Sequence, residues 1–324
     1  MPLFLSRRRR TIPSAIALLL GLSVLLAACG GDPGQKDADP HAGSHGAFPV
    51  SIRSGPMTGG AEITVDRQPA AIVSLSPTAT EMLWAIGAGD QVKAVDDQSN
   101  YPEGVPTTEL SGYEPNVEAI LGYEPDLVVA AGDSGDLVSG LKAVGVPVLL
   151  LPSAADLDES YSQIERLGAA TGHVAEAAGV VAHMRTGIEA AVAKAPHAAG
   201  LTYFHELGPD LYTVSGNTFI GEIYGLFGLH SIADAACKGD DYPQLSSESV
   251  VSQDPDLVFL ADHACCDVTP GDVRERPGWQ QMSAVRADRI QEVDADVTSR
   301  WGPRVVEFAE QVGRLLAQRA RSAS

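Results

Sequence analysis

Basic side chains are scarce. The 324 residues hold 22 Lys+Arg against 42 Asp+Glu, a formal net charge of −20, and four of the arginines form one run, Arg7-Arg8-Arg9-Arg10. A body this acidic repels phosphate backbones, which argues against nucleic acid as a partner and leaves cations and neutral molecules open. Charged residues of both signs make up only 20% of the chain against 44% apolar, a balance that excludes a largely disordered polymer. Cysteine is rarer still: four residues, none in C-x-x-C spacing. His263-Ala264-Cys265-Cys266 is therefore a poor zinc ligand set, since adjacent cysteines chelate one ion badly. G-x-S-x-G, H-E-x-x-H and the P-loop are all absent. Gly87-x-Gly89 follows a helical pattern, which is the wrong context for a dinucleotide phosphate. A metal-dependent enzyme remains only as a remote alternative, with no resident metal or intrinsic cofactor expected.

No apolar run is comfortable as a spanning helix either. The segment from Ile16 to Leu26 is broken by Gly21 and Ser23 and is short for a bilayer. Preceded by the arginine run and closed by Leu26-Ala27-Ala28-Cys29, it reads as a signal peptide. Leu-Ala-Ala-Cys resembles the lipobox of bacterial lipoproteins. That resemblance implies cleavage after residue 28, acylation of Cys29 and a position on the extracytoplasmic face of the membrane. Residues 29–69, rich in Gly, Asp, Pro, Ala and Ser, read as a lipid-anchored flexible tether. Once Cys29 is acylated, Cys237, Cys265 and Cys266 remain in an oxidising compartment. A disulfide from Cys237 to one of the adjacent pair is the expected arrangement.

From residue 70 the pattern turns to short apolar runs alternating with amphipathic stretches. Ile72-Val73, Val92 to Val95, Leu127 to Ala131 and Pro147 to Leu151 read as strands, and so do Leu201 to Phe204, Leu211 to Val214, Leu257 to Ala261 and Ile290 to Val293. Such alternation is α/β with mainly parallel sheets. The two sets repeat: residues 116–133 (NVEAILGYEPDLVVAAGD) superpose on 246–263 (SSESVVSQDPDLVFLADH), bringing Glu118 onto Glu248 and Pro125-Asp126-Leu127-Val128 onto Pro255-Asp256-Leu257-Val258. Between them Val174, Ala178, Val181, Met184, Ile188 and Val192 step by three or four along a helix stopped by Pro196 and Gly200. The expected fold is two Rossmann-like α/β lobes, residues 70–171 and 198–324, bridged by one long rigid helix at 172–197. The ligand cleft lies between the lobes.

The residues Ile72-Val73-Ser74-Leu75-Ser76-Pro77-Thr78-Ala79-Thr80-Glu81, Val95-Asp96-Asp97, Asn100-Tyr101-Pro102 and Glu124-Pro125-Asp126-Leu127-Val128 resemble the solute-binding proteins of ABC importers for vitamin B12, iron-siderophores and haem. Tyr242-Pro243-Gln244-Leu245-Ser246 and Asp296 followed by Arg300 and Pro303-Arg304 resemble the B12-binding members most. The resemblance implies a cleft lined by Tyr113, Tyr242, Asp296, Arg300, Gln98 and Trp301, with cobalamin as the transported ligand and an iron-siderophore or haem as the alternative. Gln98 stands where that pattern has an aromatic, as does Ala131, and Ser299 replaces an acid. It also implies delivery to a dimeric permease with its ATPase subunits, docked through Glu81 and Glu248. Thr78 and Glu81 read as a capping box as well. For the anchor, Cys29→Ser is expected to leave unprocessed or released protein; membrane fractionation and mass measurement check it, and a mature acylated mutant would overturn it.

Overall fold

A period-two alternation close to the first of the described residues, expected as part of the tether, builds a hairpin. β1 (Val50–Ser54) pairs antiparallel with β2 (Ala61–Val65), turning Ile52 and Val65 into the core. The Gly- and Pro-rich turn between them masked the pattern. The computed structural model describes residues 48–196, 198–235 and 239–322, so Cys29 and Cys237 lie outside the described residues. The tether expected over 29–69 is thus wrong from Val50 onward. The hairpin is pinned to the neighbouring sheet by Gly55 N–H donating to Leu150 O at 2.8 Å and by Ser54 Oγ, which donates to Val148 O and accepts from Leu150 N–H.

The first lobe is a parallel four-stranded sheet in the order β4-β3-β5-β6, formed by β3 (Ile72–Leu75), β4 (Val92–Val95), β5 (Leu127–Ala130) and β6 (Val148–Leu150). The helices α1 (Pro77–Ala85), α2 (Val117–Leu121), α3 (Leu137–Ala143) and α4 (Leu157–Thr171) connect and cover it. The helix α5 (Val174–Lys194) leads to the second sheet, β7 (Thr202–Glu206), β8 (His230–Ser231), β9 (Leu257–Leu260) and β10 (Ile290–Glu292), again parallel, in the order β10-β9-β7-β8. Around it lie α6 (Phe219–Leu226), α7 (Ser247–Gln253), α8 (His263–Cys266), α9 (Pro270–Glu275), α10 (Ser283–Arg286), α11 (Ala295–Ser299) and α12 (Val305–Ser322). The strand expected at Leu211 to Val214 is not one: Leu211 has φ 64, which breaks the extended path, and only Tyr212 bridges, antiparallel to Gln244.

Side chains alternate across each sheet. Ile72, Leu127 and Val129 point to one apolar cluster that continues through Ile164 of α4, Met184 and Ile188 of α5, and Phe308 and Val312 of α12 to Tyr203, Tyr224 and Phe259. The opposite faces, with Val73, Val128 and Ala130 in one lobe and Phe204, Val258 and Leu260 in the other, have separate cores. A single apolar seam therefore runs from lobe to lobe along the connecting helices.

The acid-Pro-Asp repeat has a physical reason in both lobes. Asp126 accepts from the amides of Ala70 and Ala71 at 3.0 Å, tying down the start of β3; Asp256 accepts from Thr202 N–H at 3.0 Å and ties down β7. The preceding acids share a left-handed backbone, Glu124 at φ 49 and Asp254 at φ 47, so proline follows a residue that has already turned out of its helix. Glu124 is exposed, while the Asp254 carboxylate accepts from the amide and hydroxyl of Ser283. Glu124→Gly is expected to raise unfolding stability by up to about 1 kcal/mol through relief of the left-handed geometry. Asp254→Gly loses about 1 kcal/mol net, because the two bonds go with it. Urea titration of both variants checks the contrast.

Candidate functional site

In open α/β sheets the ligand crevice lies outside the carboxyl ends of the strands, and here the carboxyl ends of the two sheets meet. Asn100, just beyond β4, donates to Asp296 of α11 through Nδ2 at 2.8 Å, and its Oδ1 accepts from Arg300 Nη1 at 2.8 Å. Gln98 is exposed and contributes its main-chain carbonyl, which accepts from Arg300 Nη2 at 3.3 Å. The segment between α11 and α12 then crosses the first lobe. Ser160 Oγ donates to Trp301 O, and Trp301 Nε1 donates to Gln163 Oε1 at 2.7 Å. On the other side of the junction, Leu157 N–H donates to Glu222 of α6 at 2.9 Å. A groove of about 590 Å³ elsewhere, between β2, Pro125-Asp126 and Val144-Gly145-Val146, opens at the amino ends of β5 and β6 and takes no part in this junction.

Glu81 was expected at the surface as a docking charge and is found inside. It is 3% exposed, and its carboxylate accepts from Arg300 Nη1 at 2.8 Å, Arg304 Nη2 at 2.6 Å and Arg304 Nε at 3.0 Å. The cause is where the helix begins, two residues earlier than the Thr78 cap would place it. Ser76 is the cap of α1, accepting from Ala79 N–H at 3.3 Å, with Pro77 at the first helical position where its missing N–H costs nothing. Thr78 is consequently not the cap, and Glu81 is turned toward the segment that crosses from the other lobe. Arg300, read as a ligand contact, is 8% exposed and bonded to Glu81, Asp296, Asn100 and Gln98. Trp301 is half-buried against the core rather than open to a ligand.

The structure separates the two expected tyrosines from this network and exposes Tyr212 and Tyr101 as well. Tyr113, Tyr242, Tyr212 and Tyr101 are 82%, 52%, 46% and 43% exposed. Tyr113 follows Gly112, where a Cβ would come within 2.5 Å of Leu75 O, so the loop lies flat on the carboxyl end of β3. Tyr242 and Tyr212 sit on adjacent segments zipped together: Thr213 N–H donates to Pro243 O, Ser215 N–H to Asp241 O and Leu245 N–H to Leu211 O. Tyr101 packs its ring 4.2 Å from the Arg304 guanidinium.

Glu248 is exposed in the first turn of α7, capped by Ser246. Its counterpart by the repeat is Glu118, exposed in the first turn of α2 and capped by Asn116. The equivalence was visible in the aligned segments and points away from Glu81. A second correction concerns the cysteines: Cys265 is joined to Cys266, its neighbour at the end of α8, with Cα atoms 3.8 Å apart. Both are exposed, and Cys237, the expected partner, lies outside the described residues.

Beneath the second lobe's carboxyl end lies a buried polar group. Glu206 is fully buried at the end of β7 and receives both Nη atoms of Arg276 at 2.6 Å. Arg276 in turn stacks on Trp279 at 4.6 Å. Asp262, beyond β9, is fully buried beside it. Burial pushes the Glu206 carboxyl up to about 7 against the pull of Arg276, with Asp262 adding to the rise. His205, on the other face of β7, is held neutral by burial, down to about 3, and shares a 2.9 Å hydrogen bond with the Tyr224 hydroxyl. It faces the core and is not available to a metal chelate in the cleft.

Residues 72–297 match the family described as periplasmic binding protein. The chain belongs to that family. An uncharacterized ABC transporter substrate-binding lipoprotein, YvrC, from Bacillus subtilis is 32% identical, over 91% of this chain and 94% of its own length. A cobalamin-binding protein from Halobacterium salinarum is 35% identical, over 90% of this chain and 81% of its own. Among solved structures, the periplasmic vitamin B12 binding protein BtuF of Vibrio cholerae superposes with a TM-score of 0.65 at 27% identity, covering 76% of this chain and 96% of that one.

Glu206 supplies a pH test of this lobe. Its folded value, about 7, exceeds the ordinary 4.5, so between those values the folded chain holds a proton that the unfolded chain releases. The stabilisation is full below about 4.5 and is lost as pH rises to about 7, a difference of order 3 kcal/mol. Glu206→Gln is expected to flatten that part of the stability–pH curve measured by denaturant titration.

Proposed function

We propose that this protein is the solute-binding component of an ABC importer, held at the outer face of the membrane through Cys29, and that it captures cobalamin or a related corrinoid between its lobes. The observation that carries the reading is the interlobe junction flanked by four exposed tyrosines on loops from both sheets. Aromatic faces suit the apolar edge of a corrin, and the exposed side-chain amide of Gln98 suits its amide side chains. The B12-binding names of relatives that span most of the chain support the same ligand. The protein acts by binding and handing over, without turnover. An iron chelate is the second reading. It is favoured by exposed Tyr212 and His263 at the second lobe's rim and weakened by the burial of His205.

Docking to a two-fold permease calls for one accessible carboxylate per lobe in equivalent positions. Glu118 and Glu248 meet that requirement, each at a helix N-terminus where a negative charge is favoured, and they replace the pairing of Glu81 with Glu248. Protein soaked separately with cyanocobalamin, haemin and a ferric siderophore, then desalted, is expected to retain the cobalamin spectrum. Tyr242→Ala is expected to weaken binding by about tenfold or more. Retention of haemin or the siderophore alone would transfer the role to the iron chelate. Glu118→Ala with Glu248→Ala is expected to lower cellular uptake at unchanged ligand affinity; normal uptake by the double variant at equal protein levels would remove the docking role.

A further inference from the structure

We infer that the cleft selects by charge, admitting neutral or cationic metal chelates and rejecting anionic ones. The inference rests on the reading of the interlobe cleft as the binding site, and it concerns which chemical class of chelate enters.

The strongest side-chain donor to an anionic chelate is a guanidinium or ammonium with a free face. Among the described residues, three arginines lie beyond the carboxyl ends of the strands, and every one is engaged by carboxylates of the chain itself. Arg276 gives both Nη atoms to Glu206. Arg300 bonds Glu81, Asp296, Asn100 and Gln98, and Arg304 bonds Glu81 twice while lying on the Tyr101 ring. The junction itself, with Glu81 and Asp296 against Arg300 and Arg304, is neutral, and its arginine side chains are 9% and 12% exposed. His263, the other basic group there, lies 3.9 Å from Glu292.

What faces solvent around the junction is acidic. Residues 96–116 contain no Lys or Arg and expose Asp97, Glu103, Glu109 and Glu114. Residues 131–136 expose Asp133 and Asp136, and 207–218 expose Asp210 with no basic residue. Lys238 lies outside the described residues. Carboxylates within a Debye length of the cleft add to a repulsive potential for any anionic guest. Among the described residues, a polyanionic chelate would gain a guanidinium as counter-charge only by drawing it off Glu81 or Glu206, and that uncovers a buried carboxylate at heavy cost. Glu81 is thus a positioning residue that withholds Arg300 and Arg304 from the ligand.

Two ligand pairs test this at neutral pH: cyanocobalamin against its corrin monocarboxylate, in which one amide is hydrolysed, and a neutral ferric trishydroxamate against a ferric tricatecholate. In whichever pair binds, the neutral member is expected to be tighter by about tenfold or more at low salt, with the ratio shrinking as salt screens the field. Glu81→Gln is expected to narrow the ratio by freeing cationic donors. Asp296→Asn, at a half-exposed position that puts the fold at less risk, narrows it in the same direction. An anionic member binding as tightly as its neutral partner, or a ratio unmoved by salt and by both variants, overturns the inference. Binding of the neutral trishydroxamate with neither corrinoid bound would overturn cobalamin as the ligand and support the charge rule.

Discussion

A carboxylate buried under two guanidiniums joins the lobes of this molecule at the place where their functions meet. Removing one partner from such a cluster leaves an uncompensated charge in a poor solvent, a loss of roughly 3–5 kcal/mol in comparable cases, so Glu81, Arg300 and Arg304 hold or fail together. Their joining also fixes the distance between α1 and the segment leading into α12. The hydrogen bonds of Asn100, Gln98, Ser160 and Gln163 to the same segment then have a defined frame in which to form. The apolar seam through α4, α5 and α12 resists separation of the lobes, and the ionic cluster specifies their register.

The architecture was legible because its signals are periodic and repeated. Buried parallel strands announce themselves as short apolar runs, and Glu-Pro-Asp with Asp-Pro-Asp marks two turns of one backbone shape, down to matching left-handed acids. The site was less legible, because a residue's type does not say which face of a helix it occupies. Glu81 in T-x-x-E is consistent with a cap, a docking charge and a buried ion, and a two-residue shift in where α1 begins decided among them. Arg300 shows the same limit from the other side. An arginine beside a cleft can serve the guest or the frame, and only the positions of Glu81 and Asp296 distinguish the two. The β1–β2 hairpin was hidden by composition, since Gly and Pro in its turn resembled the segment before it.

Duplication has left the lobes alike in frame and unlike in polarity. In both, an Asp ties down the first central strand and a capped helix presents a glutamate to solvent. The second lobe pairs its buried carboxyl group, Glu206, with an arginine of its own, Arg276, whereas the buried Glu81 of the first lobe takes both its guanidiniums from the other lobe. The asymmetry puts ionic interactions where the repeat was free to diverge, at the carboxyl ends of strands, and leaves the amino ends conserved between the halves in their turn chemistry.

The borders of the two sheets bear on how such a molecule lives beside copies of itself. An unpaired strand edge invites another chain to extend it. In the first lobe β6 is covered by the turn of the hairpin, and β4 is covered by residues 106–108, which exchange hydrogen bonds with Val95. In the second, β8 is two residues long and β10 three, too short to template a neighbour. Copies of the chain that meet edge to edge at these borders find no long open strand to extend, and such encounters are kept from turning into aggregation.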